Sequence, residues 1–262
     1  GDVFGWVTLP IDYLQGLGEC NGPNSSPNGW TNLGNQAAAA TGFNAANYNK
    51  VIYVIPDGYC TTYGGYADIG GSKIMLYGTH QVGGQPNTVS VPRNGAHEMG
   101  HALRRLHAST LRCTNSAGAE VQMSNNCTMA YEYGDPFDIM GYADGHKHMN
   151  VFNKGTTANG AENWLAPGNT QTVSSTPVSG NTYTLLPANQ NTTGLKVIKI
   201  PKSLTVGGAG LTGHYYLEFR QPEGFDASYP SQYNQGYFNG VSIRFAGDNF
   251  ASGSNKSYLI QA

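Results

Sequence analysis

The stretch HEMGHALRRLH, residues 97–107, decides how this chain is interpreted. On an α-helix, His97 and His101 lie one turn apart on the same face, so that both imidazoles can reach one metal ion. Glu98 lies beside them, within reach of a water molecule bound to that ion. Imidazole ligands with one position left open suit zinc. The spacing therefore predicts a helical zinc site with Glu98 as the general base.

The position of His107 raises a problem of geometry. On a continuous helix it would lie about 80° around the axis from His97 and ~15 Å further along it. The helix must therefore end near Leu103 and fold back if His107 is to bind the same ion. Glycine makes a left-handed turn of this kind without penalty, but Arg104 would make it at a cost of about 1 kcal/mol. Zinc binding can offset that cost, so we expect His107 to be the third ligand.

Other residues are weaker candidates for this site. The alternative to a metal site is a helix whose histidines form only local hydrogen bonds. Four further histidines lack helical spacing to the first pair: His80, His146, His148 and His214. Three glutamates are rival third ligands, although none lies in a clear helical context: Glu120, Glu132 and Glu162.

A second segment, DPFDIMGYADG at residues 135–145, places Met140 in a turn bounded by glycines. A lone methionine is often only core packing, but here it follows a complete set of three histidines. Asp135 and Asp138 in the same segment offer oxygen ligands for calcium. Capping of the turn by Asx-type hydrogen bonds is the favoured interpretation, so calcium is unsupported.

The composition limits the classes of function. Only 11% of the 262 residues are charged, and the net charge is -2, which gives no electrostatic case for nucleic acid or an anionic membrane. No apolar run approaches the roughly 20 residues that a membrane helix needs. A hydrophobic content of 39% suffices for a packed core.

The cysteines favour an extracellular location. Cys20, Cys60, Cys113 and Cys127 allow three pairings, and the favoured one joins sequence neighbours, as Cys20–Cys60 and Cys113–Cys127. Four reduced thiols in a cytosolic protein are the alternative. The chain opens at Gly1 without an initiator methionine, and we expect a processed, secreted form.

The pattern of apolar runs and turn residues changes near Gly168. Before it, apolar runs such as NKVIYVIPD (49–57) and GGSKIMLYG (70–78) predict buried strands, and residues 31–48 predict a helix. After it, short β-rich runs alternate with turn residues, as in an antiparallel sandwich. The predicted domains are 1–168 and 169–262, packed closely together.

These features resemble the metzincin zinc metallopeptidases, and among them the gametolysin-like secreted peptidases. Besides the zinc motif, the resemblance rests on four segments: YADIGGSKIMLYG (66–78), NCTMAYEYGDPFDIMG (126–141), YYLEFRQPEGFD (215–226) and GVSIRFAG (240–247). It implies an α+β fold, in which a metzincin-type catalytic domain with a twisted mixed sheet, a zinc helix and a Met-turn precedes a smaller antiparallel β-rich domain. Arg104 departs from the glycine of the family motif.

The resemblance also implies the roles of the site residues. It assigns one catalytic zinc ion to His97, His101 and His107, general-base catalysis to Glu98, the Met-turn to Met140, and transition-state stabilisation to Tyr142. We expect a secreted monomeric endopeptidase, made as a zymogen, in which a zinc-bound water activated by Glu98 attacks peptide bonds of extracellular proteins such as matrix or cell-wall glycoproteins. Two alternatives remain: a catalytically weak adhesin or matrix-binding protein on a peptidase scaffold, and a zinc amidase acting on cell-wall substrates.

Overall fold

The computed structural model describes residues 1–9, 29–55, 64–78, 81–82, 85–86, 90–142, 145–157, 160–176, 179–227, 237–248 and 256–260. The chain divides into two compact units, Gly1–Arg104 and Arg105–Ala262.

The first unit is built on a small mixed sheet. Its elements are the helices α1 (Trp30–Ala38) and α2 (Ser90–Ala102) and the strands β1 (Val51–Ile55), β2 (Gly65–Ala67), β3 (Lys73–Tyr77), β4 (Gln81–Val82) and β5 (Gln85–Pro86). Strand β3 lies in the middle, parallel to β1 and antiparallel to β2, while β4 and β5 form a separate two-stranded sheet.

The apolar run of β3 follows from burial on both of its faces. Side chains alternate along a strand, and Met75 and Tyr77 pack in one cluster with Leu33 of α1. Ile74 and Leu76 point to the other face and pack in a second cluster with residues of α2. A strand covered on both sides has a continuous hydrophobic sequence, as KIMLY does.

The second unit is a sheet that closes on itself. Its elements are β6 (Ala108–Thr114), β7 (Glu120–Val121), β8 (Asn126–Tyr131), α3 (Val151–Gly155), β9 (Thr170–Thr172), β10 (Val197–Val206), β11 (Ala209–Phe219), β12 (Val241–Gly247) and β13 (Ser257–Ile260). Six of these strands pair in the order β11-β12-β13-β6-β8-β10, and β10 pairs with β11 to close the ring. The contacts of β13 with β6 and of β10 with β8 are parallel, and the other four are antiparallel.

Every strand of the ring contributes to one buried cluster, whose members are Leu111, Cys113, Cys127, Leu204, Tyr215, Phe245 and Tyr258. Alternate residues of the same strands, such as Tyr216 and Ala246, pack in another cluster with Val151 and Phe152 of α3. The predicted Cys113–Cys127 disulfide is confirmed, and it joins residues directly opposite each other on β6 and β8. Cys20 and Cys60 lie outside the described residues.

The predicted α+β metzincin-type architecture is wrong. The described chain is mainly β, and its largest element is the closed six-stranded sheet rather than a twisted open sheet followed by an antiparallel β-rich domain. The reason lies in the pairing: β6 and β8, which precede residue 168, share this sheet with β10–β13, which follow it. The boundary between the compact units accordingly falls after Arg104 in the sequence, whereas the change in sequence composition predicts a boundary near Gly168.

Several local predictions are confirmed. The segments around residues 49–57 and 70–78 contain β1 and β3, and HEMGH lies on α2. The apolar run GWVTLPI (5–11) favours a first strand, but residues 5–9 have no regular secondary structure, and residues 10–11 lie outside the described part of the chain. Among the described residues, every helix is too short or too polar to span a bilayer.

Candidate metal centre

Helix α2 presents its two motif histidines on the face opposite β3. Gly95 approaches the sheet so closely that a Cβ there would lie 3.3 Å from Cδ1 of Leu76. At about 100° per residue, His97 and His101 lie about 200° and 240° around the helix from Gly95. Their ring centroids are 4.8 Å apart and the rings are nearly perpendicular, at 84°. The i, i+4 spacing therefore brings the two imidazoles together, as predicted.

The helix ends before His107, through a left-handed residue. Arg104 has φ 69°, the one positive value at a residue other than glycine in the described chain. Its N–H donates to the His101 carbonyl at 2.8 Å, and Leu103 N–H donates to Met99 O at 2.9 Å. The chain thus makes, with arginine, the turn for which glycine is normally used.

A neighbouring loop supports this turn. The N–H of Gly70 also donates to the His101 carbonyl, at 2.9 Å. A Cβ on Gly70 would lie 2.7 Å from Cζ of Arg104, which places the guanidinium directly over the glycine. Gly70 itself has φ 74°. Helix end, arginine and loop therefore form one packed corner.

Arg105 anchors the chain on the other side of the turn. Its fully buried side chain donates to the carbonyl oxygens of Thr156, at 3.0 Å, and of Glu162. Its Cζ lies 3.9 Å from the ring centroid of Trp164. The two adjacent arginines thus have different roles, one exposed in the turn and one buried as an anchor.

Along this short stretch of chain, the ligand atoms of His97, His101 and His107 all lie within 4.8 Å of one another. In the part of the chain that the structure describes, this is the one cluster of three potential ligands. Three nitrogens around a tetrahedral zinc ion, each at about 2.05 Å, stand about 3.3 Å apart. The donor set fits zinc, and metal binding would require the three nitrogens to lie closer together than the upper separation of 4.8 Å found here.

Glu98 is held at the edge of β2. A Cβ on Gly65 would lie 2.7 Å from Cγ of Glu98, so only a glycine leaves room for this side chain. Burial raises the pKa of Glu98 to about 7, against the opposing effects of a hydrogen bond from the Ala67 N–H and of the Arg93 charge. The carboxylate is therefore buried and oriented by a backbone hydrogen bond, and it is not free in solvent.

His107 has a carboxylate on its Nδ1 side. Nδ1 lies 2.9 Å from Oε1 of Glu132, and the imidazole centroid lies 4.1 Å from that of Tyr133. The ammonium of Lys256 contacts the same oxygen of Glu132. Burial lowers the pKa of His107, and hydrogen bonds from Lys256 and then His107 lower the pKa of Glu132.

The Met140 turn holds the strand that follows His107. Ala108 N–H donates to Met140 O at 2.9 Å, and Asp135 N–H donates to Ala108 O at 3.1 Å. Asp138, fully buried, accepts the Met140 N–H at 2.7 Å. Gly141 is required here, because a Cβ would lie 2.0 Å from the Asp135 carbonyl oxygen. Met140 is completely buried and packs with Ala108 and Ile139.

Asp135 and Asp138 are engaged within the protein. Asp135 forms an ion pair with Arg244 at 2.6 Å, and Asp138 accepts backbone N–H groups. Arg244 also pairs with Glu218, which lies 3.1 Å from Nε of Arg220. These side chains are fully buried. The turn is therefore tied to β11 and β12 by charge, which agrees with a capping role for the aspartates.

The other candidates are dispersed. Tyr142 is 57% exposed, and its backbone N–H donates to the carbonyl of Tyr133. Its catalytic role stays a prediction. Glu120 and Glu162 are exposed. His214, on β11, forms an ion pair with Asp248. His146 and His148 lie beside Phe225, and His80 falls outside the described residues.

Comparisons with protein-family models, curated proteins and solved structures find no match. They do not identify a metzincin. The resemblance stated above therefore rests on the quoted residues alone, and the case for function rests on the geometry of the site.

Sequence reasoning missed the role of Glu132 and the presence of Lys256. A signal for Glu132 exists in the disulfide. If Cys113 and Cys127 are opposite each other on antiparallel strands, counting back from Cys113 and forward from Cys127 brings residue 108 opposite residue 132. A register shift between Thr110 and Leu111 displaces this pairing by one residue. No sequence pattern places Lys256 near His107, because Lys256 precedes β13, which pairs with β6 although the two strands are far apart in the sequence.

Proposed function

We propose that this protein is a secreted zinc-dependent endopeptidase in which His97, His101 and His107 hold the metal and Glu98 is the general base. The observation that carries the proposal is the clustering of three imidazoles within 4.8 Å, which depends on the left-handed turn at Arg104. Three protein ligands with a fourth position left open is the ligand set of a catalytic zinc site.

When bound, a zinc ion supplies Lewis-acid polarisation of a carbonyl group and a water molecule of lowered pKa. Glu98 follows His97 on α2, and we propose that its carboxylate reaches a water molecule at the open metal position. The Ala67 N–H orients that carboxylate, which takes a proton from the attacking water and delivers it to the departing amine.

The place for a peptide backbone is the outer edge of β2. β3 is the central strand, and β2 is the edge strand of the described sheet beside α2. Tyr77 N–H donates to Gly64 O, so by the alternation of antiparallel pairs Gly65 and Ala67 direct their N–H and C=O groups away from β3. The Ala67 N–H is bonded to Glu98, so the groups proposed to pair with a substrate strand are those of Gly65 and the carbonyl of Ala67. A substrate added here as a strand would run alongside Glu98.

Two further observations fit this assignment. The Cys113–Cys127 disulfide suits an oxidising, extracellular compartment. Because few residues are charged, the protein has no strong electrostatic attraction for a polyanionic substrate. Extracellular proteins, including matrix and cell-wall glycoproteins, are the proposed substrates.

The test is hydrolysis of casein, gelatin and a cell-wall glycoprotein by the zinc-loaded protein, with Glu98→Gln as the variant and Glu120→Gln as a matched control on β7. Loss of a general base reduces the rate by about 10²–10⁴-fold. We expect this loss in Glu98→Gln at unchanged zinc content, and no loss in Glu120→Gln. Chelation should abolish wild-type cleavage, and zinc should restore it.

The alternatives give different results in the same assay. A zinc-loaded protein that binds these proteins without cutting them is an adhesin. One that leaves them intact but releases amino groups from cell-wall peptides is an amidase. Either result, or full activity in Glu98→Gln, would overturn the proposal.

A further inference from the structure

The third histidine, His107, is held by partners that lie at one corner of the closed sheet. His107 immediately precedes β6, whereas Glu132 immediately follows β8, the antiparallel neighbour of β6. The hydroxyl of Ser109 donates to the Glu132 carbonyl. The backbones that carry the imidazole and the carboxylate are therefore fixed to each other by the sheet.

The contact between them has a defined direction. A carboxylate accepts hydrogen bonds and does not donate them when it is ionised. The Lys256 ammonium on the same oxygen favours the ionised form of Glu132. The 2.9 Å contact is then a hydrogen bond in which His107 Nδ1–H is the donor. A neutral imidazole with its proton on Nδ1 has its lone pair on Nε2.

Glu132 does not lie among the potential metal ligands. The described cluster consists of His97, His101 and His107 alone. A carboxylate that bonds the far nitrogen of a histidine acts on a metal through that histidine, by fixing its tautomer and ring orientation.

We propose that Glu132, itself held by Lys256, is a positioning residue that keeps His107 in the Nδ1–H tautomer and directs Nε2 toward the metal. The proposal rests on the zinc site put forward above. It explains why Glu132, just after β8, and Lys256, just before β13, come together beside one histidine that lies outside the motif helix. Tyr133 completes the arrangement by limiting rotation of the ring.

The experiment compares wild type with Glu132→Ala, Glu132→Gln and Lys256→Met, with Glu120→Ala as a control for loss of a glutamate from a neighbouring strand. Zinc affinity is measured by competition with a chromogenic chelator. The tautomer of His107 is read from the ¹⁵N shifts of histidine-labelled, metal-free protein. Circular dichroism verifies that each variant is folded.

We expect zinc affinity to fall by about 10–100-fold in Glu132→Ala, and the Nδ1–H signature of His107 to be lost. Glu132→Gln retains an acceptor oxygen, so it should keep the tautomer and recover most of the affinity. Lys256→Met should give an intermediate loss, and Glu120→Ala none. Rescue by glutamine separates positioning from a general effect on folding.

The two proposals fail in different ways. A wild-type protein that takes up no zinc overturns the zinc site, whatever the tautomer of His107. Wild-type protein that binds zinc, together with Glu132→Ala of unchanged affinity and unchanged ¹⁵N pattern, overturns the role of Glu132 and leaves the zinc site intact.

Discussion

Replacing Arg104 separately with glycine and with alanine isolates the backbone strain at the end of α2. Both substitutions remove the guanidinium that lies over Gly70. Alanine keeps a Cβ and with it the cost of φ 69°, while glycine removes that cost. The difference in unfolding free energy between the two variants therefore reports the left-handed conformation and not the lost contact.

The magnitude follows from two opposing effects. A left-handed residue with a Cβ costs about 1–2 kcal/mol, and glycine loses about 0.5–1 kcal/mol more than alanine in conformational entropy on folding. We expect Arg104→Gly to be more stable than Arg104→Ala by about 0.5–1 kcal/mol. At the exposed helical position Ala96, the order must be reversed, and Ala96→Gly should be less stable than wild type by about 1 kcal/mol.

The assay is urea denaturation of metal-free protein followed by tryptophan fluorescence. With a slope of about 2–3 kcal/mol per molar urea, the expected difference is a midpoint shift of about 0.3 M. If alanine is the more stable residue at both positions, Arg104 is not left-handed in solution, and the turn that returns the chain to His107 is wrong. Zinc affinity should be unchanged in Arg104→Gly.

Three further predictions concern the second unit. Gly141→Ala places a Cβ 2.0 Å from a backbone oxygen and should lower the free energy of unfolding by about 3 kcal/mol or more. Gly118→Ala, where φ is 79° and the space is open, should lower it by about 1 kcal/mol. Equal urea midpoints for the two variants would contradict this. The double variant Cys113→Ala/Cys127→Ala opens a loop with a sequence separation of 14, and its free energy of unfolding, again measured in urea, should fall by about 3 kcal/mol. An unchanged midpoint would show that the disulfide does not stabilise the folded protein. Burial alone would raise the pKa of Glu218, but two buried guanidinium groups lower it to about 2. Its contribution to stability, about 3 kcal/mol, is therefore present above the unfolded value near 4.5 and is lost as the pH falls toward 2. The ¹³C shift of that carboxyl group should stay at its ionised position down to pH 3, and a midpoint near 4.5 would refute the buried ion pairs.

The part of the site that could be predicted from sequence is the part set by local geometry. Spacing along a helix fixes the mutual position of His97 and His101, and simple helix dimensions require a break before His107. That requirement pointed to Arg104, and the left-handed turn is present there. Local propensity and periodicity suffice for such features because the residues involved are close in sequence.

The architecture could not be obtained in the same way. Apolar runs indicate that strands exist, but they do not say which strands pair, and the closed sheet depends on pairs such as Leu259 with Thr110 that are far apart in sequence. Family-like motifs misled for a related reason, since a functional motif occupies a short segment and does not determine the surrounding fold. The ion pair of Asp135 with Arg244 is equally distant in sequence and left no periodic signal.

The most direct test of the account is the metal itself. Metal analysis and X-ray absorption of protein purified with zinc present, then dialysed, should give one zinc ion per chain with three imidazole nitrogens and one oxygen at about 2.0–2.1 Å. His107→Ala should reduce the count to two imidazoles and weaken binding. A wild-type protein without stoichiometric zinc, or with only two imidazoles on the metal, would contradict the three-histidine site.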